Sequence, residues 1–198
     1  MKPGRSYSIV ILFVLVYLAN QSAAQTVNGT NTTLLPRNMN GPALLRQNLR
    51  ECSCPWPGLV SRQAYDNCTM KANSSSGVIF KRMCRFDCAM KYMSYLNGTT
   101  MNYTLLATKF KDAAKSLSAA ADNATSYCAS YVEKFNNSIP TPQAPPDVNV
   151  CNPKGLLVWV CVRQQFILQT CNISGKDPKC AENFARLKTL TPLNLLLN

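Results

Sequence analysis

The chain has 198 residues, with 21 Lys and Arg against 9 Asp and Glu, ten cysteines and no histidine. Without imidazole there is no Ser-His-Asp or Cys-His catalysis and no imidazole-bound zinc, and the nine acids are dispersed, with no spaced pair of the kind glycoside hydrolysis uses. Basic residues stand singly and not in runs, which argues against nucleic-acid binding, and no glycine-rich phosphate loop is present, so the chain reads as a non-enzyme with no cofactor and no metal.

Residues 1–24 read as a secretory signal peptide. Lys2 and Arg5 make a basic start, Ser8 to Ala19 is a mainly apolar run, and Ser22-Ala23-Ala24 offers small residues for cleavage before Gln25. Removing Lys2 and Arg5 leaves 19 basic residues against 9 acidic. No later stretch reaches the roughly 20 apolar residues of a transmembrane helix, and Leu193 to Leu197 is too short for a lipid-anchor signal. The processed chain is therefore expected to be secreted, extracellular and not membrane-embedded.

All ten cysteines follow that leader, and an even count in such a chain implies a disulfide framework of up to five bridges. Zinc is the weaker alternative, because Cys52-Ser53-Cys54 has the wrong spacing and Cys84 and Cys88 lack a second CxxC. The 19 asparagines and 29 Ser and Thr would give about three N-x-Ser/Thr sequons by chance. Nine lie beyond the leader, at Asn28, Asn31, Asn67, Asn73, Asn97, Asn102, Asn123, Asn136 and Asn172. The excess points to a glycoprotein, and each modified asparagine must face solvent.

Residues 25–48 are polar, carry two sequons and show little apolar periodicity, which predicts a flexible glycosylated arm. The folded domain is expected over 49–198, with a Pro-rich connector at 136–150, where Ile139-Pro140-Thr141-Pro142 and Ala144-Pro145-Pro146 exclude helix interior and central strand.

Between these breaks the pattern is helical. From Val78 to Leu96, Cys84, Cys88 and Tyr95 share one face at about 100° per residue, while Ile79, Met83, Phe86, Met90 and Met93 gather opposite. The cysteine face would be pinned to neighbours; the methionine face is either ordinary core or a ligand wall, since methionine adapts to varied apolar shapes. Tyr103, Leu106, Phe110, Ala113 and Leu117 lay an apolar stripe along a second helix. Leu156 to Val162 is apolar throughout and leads to Phe166-Ile167-Leu168, a buried helix or strand, with helix preferred on length. Asp177-Pro178 is an N-cap and first-turn proline, and Cys180, Phe184 and Leu187 continue a last helix.

Cys68, Cys84-x3-Cys88, then 39 residues to Cys128, 22 to Cys151, 9 to Cys161, 9 to Cys171 and 8 to Cys180 resemble the insect odorant-binding protein family, in particular its Plus-C group. The resemblance implies an all-α fold: a compact disulfide-linked bundle of about six helices around an apolar cavity. It also implies a carrier that takes a small hydrophobic ligand, odorant- or pheromone-like, through aqueous extracellular fluid, with a membrane receptor as a second partner. The family's interlocked pairing, carried over by position, gives Cys68–Cys88, Cys84–Cys161 and Cys128–Cys171, leaving Cys52, Cys54, Cys151 and Cys180 to form two more bridges.

The expected ligand site lies between the helix bearing Met83, Phe86, Met90 and Met93 and the helix bearing Leu106, Phe110 and Leu117, roofed by Trp159 and Phe166. The alternative is a disulfide-rich structural or interaction glycoprotein whose apolar stripes are all filled core and which has no ligand pocket.

Overall fold

A computed structural model of the chain describes residues 52–68, 78–138 and 151–197. The expected leader, the 25–48 arm and positions 139–150 of the connector lie outside the described residues. What is described is all-α apart from one two-stranded hairpin, and it is tied by five disulfides.

An irregular strap, residues 52–61, leads into the first described helix, α1 (Arg62–Asn67), where the Ser61 hydroxyl accepts the Ala64 N–H at 3.1 Å as an N-cap. Helix α2 (Val78–Tyr92) buries Met83, Phe86, Ala89 and Met90. It ends earlier than the periodicity predicts. Ser94 takes φ +59° and the Tyr95 N–H bonds back to the Met90 carbonyl at 2.8 Å, a left-handed helix stop. Leu96 is thereby moved into a hairpin, β1 (Leu96–Asn97) and β2 (Thr100–Met101), in which Leu96 faces Met101 and Asn97 faces Thr100. Gly98, at φ +59°, supplies the positive φ of its two-residue loop.

Helix α3 (Tyr103–Ala114) is capped by Asn102, whose side-chain oxygen accepts the Leu105 N–H at 3.0 Å. Its buried stripe is Leu106, Phe110 and Ala114. Ala113, expected on that stripe, is exposed, and Leu117 falls in a 3-10 turn (Lys115–Leu117), where Lys115 at φ +52° has broken the helical phase. Helix α4 (Ser118–Phe135) buries Ala121, Ala124, Thr125, Cys128 and Val132 at three- and four-residue steps.

Helix α5 (Lys154–Thr170) is the axis of the fold. It is buried nearly all round, from Leu156 through Ile167, and packs on α2, α4, α6 (Pro178–Thr189) and α7 (Pro192–Leu197); an apolar run with no polar face suits a central helix. Asp177 caps α6 through the Lys179 N–H at 2.8 Å, with Pro178 at its first position and Cys180, Phe184 and Leu187 buried; the start is where the sequence predicts, but α6 is not the last helix, since α7 follows it. The Gln164 side-chain amide donates to the Leu187 and Leu190 carbonyls at 2.9 and 2.6 Å, which satisfies the open end of α6 from within the core. No helix among the described residues is long and apolar enough to cross a membrane.

The bridges are Cys68–Cys88, Cys84–Cys151, Cys128–Cys161, Cys54–Cys171 and Cys52–Cys180. Cys68–Cys88 is the pair that the resemblance implied. Cys84–Cys161 and Cys128–Cys171 are not formed, and helix length explains why. Cys151 precedes α5, Cys161 lies midway along it and Cys171 just past its end, so successive members of this trio are separated by about 15 Å along the axis. Cys128 faces α5 at the level of Cys161, and Cys84 lies at the level of Cys151. The four cysteines left over on sequence grounds are likewise not a closed set, since Cys151 joins Cys84 and Cys54 joins Cys171. Counted along Cys68, Cys84, Cys88, Cys128, Cys151 and Cys161, the bonds run first to third, second to fifth and fourth to sixth. That is the implied interlock, with its fifth and sixth members each one cysteine earlier.

Candidate functional site

The two remaining bridges fix the strap. Cys52–Cys180 ties it to α6 and Cys54–Cys171 to the end of α5. Pro55-Trp56-Pro57 follows at once, and prolines on both sides hold φ near −65° and stiffen the backbone around the indole. Trp56 is thereby driven towards the bundle, its ring centroid 5.5 Å from that of Phe110 and 6.0 Å from that of Phe166. Gly58, at φ +85°, turns the strap along the bundle, where only glycine adopts the conformation without strain.

Between this strap and helices α1, α2 and α5 lies a cavity of about 340 Å³, at the lower end of the range for small-molecule sites. Its aromatic wall is Trp56, Tyr65, Phe86 and Trp159, completed by aliphatic Leu59, Val60 and Leu156. Phe86 and Trp159 lie 4.8 Å apart centroid to centroid, and Tyr65 meets Phe86 edge-on at 6.0 Å. Both tryptophans of the chain therefore face one space.

Three arginines contribute to its lining, Arg62 on α1, Arg82 on α2 and Arg163 on α5. Arg163 is 7 % exposed, and its guanidinium carbon lies 5.4 Å from the Trp56 ring centroid and 4.7 Å from that of Trp159, a double cation–π contact. Arg62 stands at the solvent rim and pairs with Asp66 at 3.6 Å. Arg85 lies against the Tyr65 ring and donates to its hydroxyl at 2.7 Å, which orients that wall.

Of the residues expected to bind ligand, Phe86 and Trp159 line the cavity. Met83, Met90, Leu106, Phe110 and Phe166 do not. They are packed into one continuous core, with Phe110 and Phe166 in edge contact at 5.2 Å and Trp56 against both. The space expected between α2 and α3 is thus filled by the chain's own side chains. Met93 is half-buried against Ala64, Cys68 and Ala89, and Leu117 is half-buried at the core's edge; neither reaches the cavity. Sequence reasoning missed Trp56, Leu59, Val60, Tyr65, Leu156 and the three arginines. The available signal was a tryptophan between two prolines directly behind a cysteine pair.

Asn67, Asn97, Asn102, Asn123 and Asn172 are all exposed, as glycan attachment requires. Asn28, Asn31 and Asn73 lie outside the described residues, and Asn136 opens the 3-10 turn that follows α4.

Away from the cavity, one polar network joins α3, α4 and α5. Tyr103 donates its hydroxyl to Glu133 at 2.9 Å, and the buried Lys154 ammonium reaches both Glu133 oxygens at 3.1 Å. Burial first, and then the neighbouring Glu133 carboxylate, push the Tyr103 phenol far above its ordinary pKa; burial alone raises Tyr95. No family model, curated protein or solved structure matches the chain.

Proposed function

We propose that the chain is a secreted carrier that holds a small hydrophobic molecule between Trp56 and Trp159 and moves it through extracellular fluid, in the manner of odorant-binding proteins. The observation that carries this reading is the cavity itself, walled by four aromatic rings and closed on one side by a strap that two disulfides hold in place.

Two further features support it. The interlocked order of Cys68, Cys84, Cys88, Cys128, Cys151 and Cys161 is the order the resemblance implies, here with Cys151 and Cys161 in the last two places. Five disulfides belong to an oxidising compartment, which agrees with the leader-like first 24 residues and the sequon-rich surface. The role is binding rather than catalysis, and a membrane receptor that reads the loaded carrier fits it.

An uncharged naphthylamine dye, titrated into the oxidised glycoprotein, tests the proposal. Saturable uptake at micromolar concentration is expected, because apolar contact at about 25 cal/mol per Å² must first offset the cost of immobilising the ligand. The filled interior between α2 and α3 favours the second reading, an interaction glycoprotein with no pocket. In that case the dye would not bind at all.

A further inference from the structure

We infer that the cavity selects flat aromatic molecules over saturated ones of the same skeleton, because the rings of Trp56, Tyr65, Phe86 and Trp159 form a wall that is set in place before a ligand arrives. This rests on the carrier reading and narrows it to a ligand class. Four of the described residues that line the cavity are aromatic and none is methionine. Met83 and Met90, whose flexible thioethers would let a wall adapt to varied shapes, lie in the core instead.

Each ring is held by a neighbour within the protein. Trp56 stands between two prolines and leans on Phe110 and Phe166 at 5.5 and 6.0 Å. Tyr65 is covered by Arg85, whose guanidinium carbon lies 4.7 Å from the ring centroid. Phe86 is buried and tilted against Trp159 at 4.8 Å, and Trp159 in turn carries the Arg163 guanidinium at 4.7 Å. A wall fixed in this way loses little side-chain freedom on binding, so a rigid guest that matches it keeps most of its contact energy. A flexible chain must itself be ordered, and within only about 340 Å³.

The electronic character of the wall adds a second preference. Aromatic rings carry a negative face and a positive edge, and each well-oriented ring pair is worth about two- to tenfold in affinity beyond the area it buries. A saturated ring has no such quadrupole to offer. Nor is the wall a cage for an ammonium ligand, since the place of a cation between Trp56 and Trp159 is already held by Arg163. The ligand class is therefore a compact aromatic molecule without a cationic group.

The test is calorimetric titration of the oxidised protein with 2-naphthalenemethanol, its fully hydrogenated analogue and 1-decanol. All three are uncharged alcohols, and burial of apolar surface alone would favour the two saturated ones. The aromatic alcohol is instead expected to bind about tenfold or more tighter than either. Trp159→Leu and Tyr65→Leu should each reduce the ratio of aromatic to hydrogenated affinity about threefold or more. Tyr127→Leu, which removes an exposed ring of α4 outside the cavity, should leave all three affinities unchanged. If Trp159→Leu does not fold, Tyr65→Leu decides alone, at the most exposed of the four rings.

A hydrogenated alcohol or decanol that binds as tightly as the aromatic one overturns the aromatic inference and leaves the carrier reading intact. A ratio unchanged in every cavity variant that folds also overturns it, because the preference would then arise away from this wall. Failure of all three alcohols and of the uncharged dye overturns both.

Discussion

A Cβ placed on Gly155 would lie 3.1 Å from Cγ of Met90 and equally close to the Phe86 carbonyl oxygen. Helix α5 crosses α2 at that point with no room for a methyl group. On helix propensity alone Gly155→Ala would stabilise by about 0.5–1 kcal/mol. Packing reverses the sign, because the obstacle includes backbone as well as a flexible side chain, and the expected net loss is about 1–3 kcal/mol. A shift of the urea midpoint to lower concentration checks it. An unchanged or raised midpoint would mean that the two helices can separate at no cost.

Met90→Trp follows from the same contact. With Met90 fully buried beside Gly155, a larger side chain has no cavity to enter. The substitution is expected to lower stability by about 1–3 kcal/mol or more and to weaken ligand binding only in step with unfolding. Thermal melts with and without dye separate the two effects. Full stability with lost dye uptake would restore the site to the α2–α3 interface.

The strap gives a sharper dissection. Replacing Cys54 and Cys171 together by serine opens a bridge that spans 117 positions of sequence, and one disulfide is worth about 2–4 kcal/mol. With the other four bridges intact, helix content by circular dichroism should survive while dye binding falls, since Trp56 and Val60 lose their anchor. Non-reducing peptide mapping of the native protein should return the five pairs described and no free thiol.

Tyr95 and Tyr103 set the alkaline limit. Both phenols have folded pKa values above the unfolded value near 10. Below about pH 9.5 they are neutral in both states and contribute no pH dependence; above 10 the unfolded chain releases protons that the folded chain keeps, so stability falls as pH rises. The urea midpoint should therefore drop between pH 9.5 and 11. Glu133→Ala removes the partner of both Tyr103 and buried Lys154 and should cost about 1.5–3 kcal/mol at pH 7. A midpoint unchanged by the substitution would mean that the network contributes nothing.

Part of this architecture is legible in the sequence. Leu156 to Val162 reads as a buried helix or strand, with helix preferred on length, and the helix is what forms; Asp177-Pro178 marks the start of α6. Cys68–Cys88 follows from the resemblance. The fifth and sixth members of the interlock do not, because Cys151, Cys161 and Cys171 stand at near-equal spacing and only the docking level of α4 and α2 on α5 chooses among them. The site was half legible for a related reason. Periodicity finds apolar faces, but whether a face is filled or open depends on what else packs there, and here Trp56 arrives from a strap with no periodicity at all. Phe86 and Trp159 were found; the arginines were not, since a lone basic residue on a helix is ordinarily a solvated charge.

The central claim is tested most directly by titrating the uncharged naphthylamine dye into the native protein and into Val60→Phe, following tryptophan emission, because Trp56 and Trp159 are the only tryptophans and both face the cavity. The expected result is saturable micromolar binding with quenched emission in the native protein and binding weaker by about tenfold in the variant, roughly 1.4 kcal/mol, with helix content and all five bridges retained. Native protein that takes up no dye, or dye uptake that leaves tryptophan emission and the Val60→Phe affinity unchanged, would contradict it.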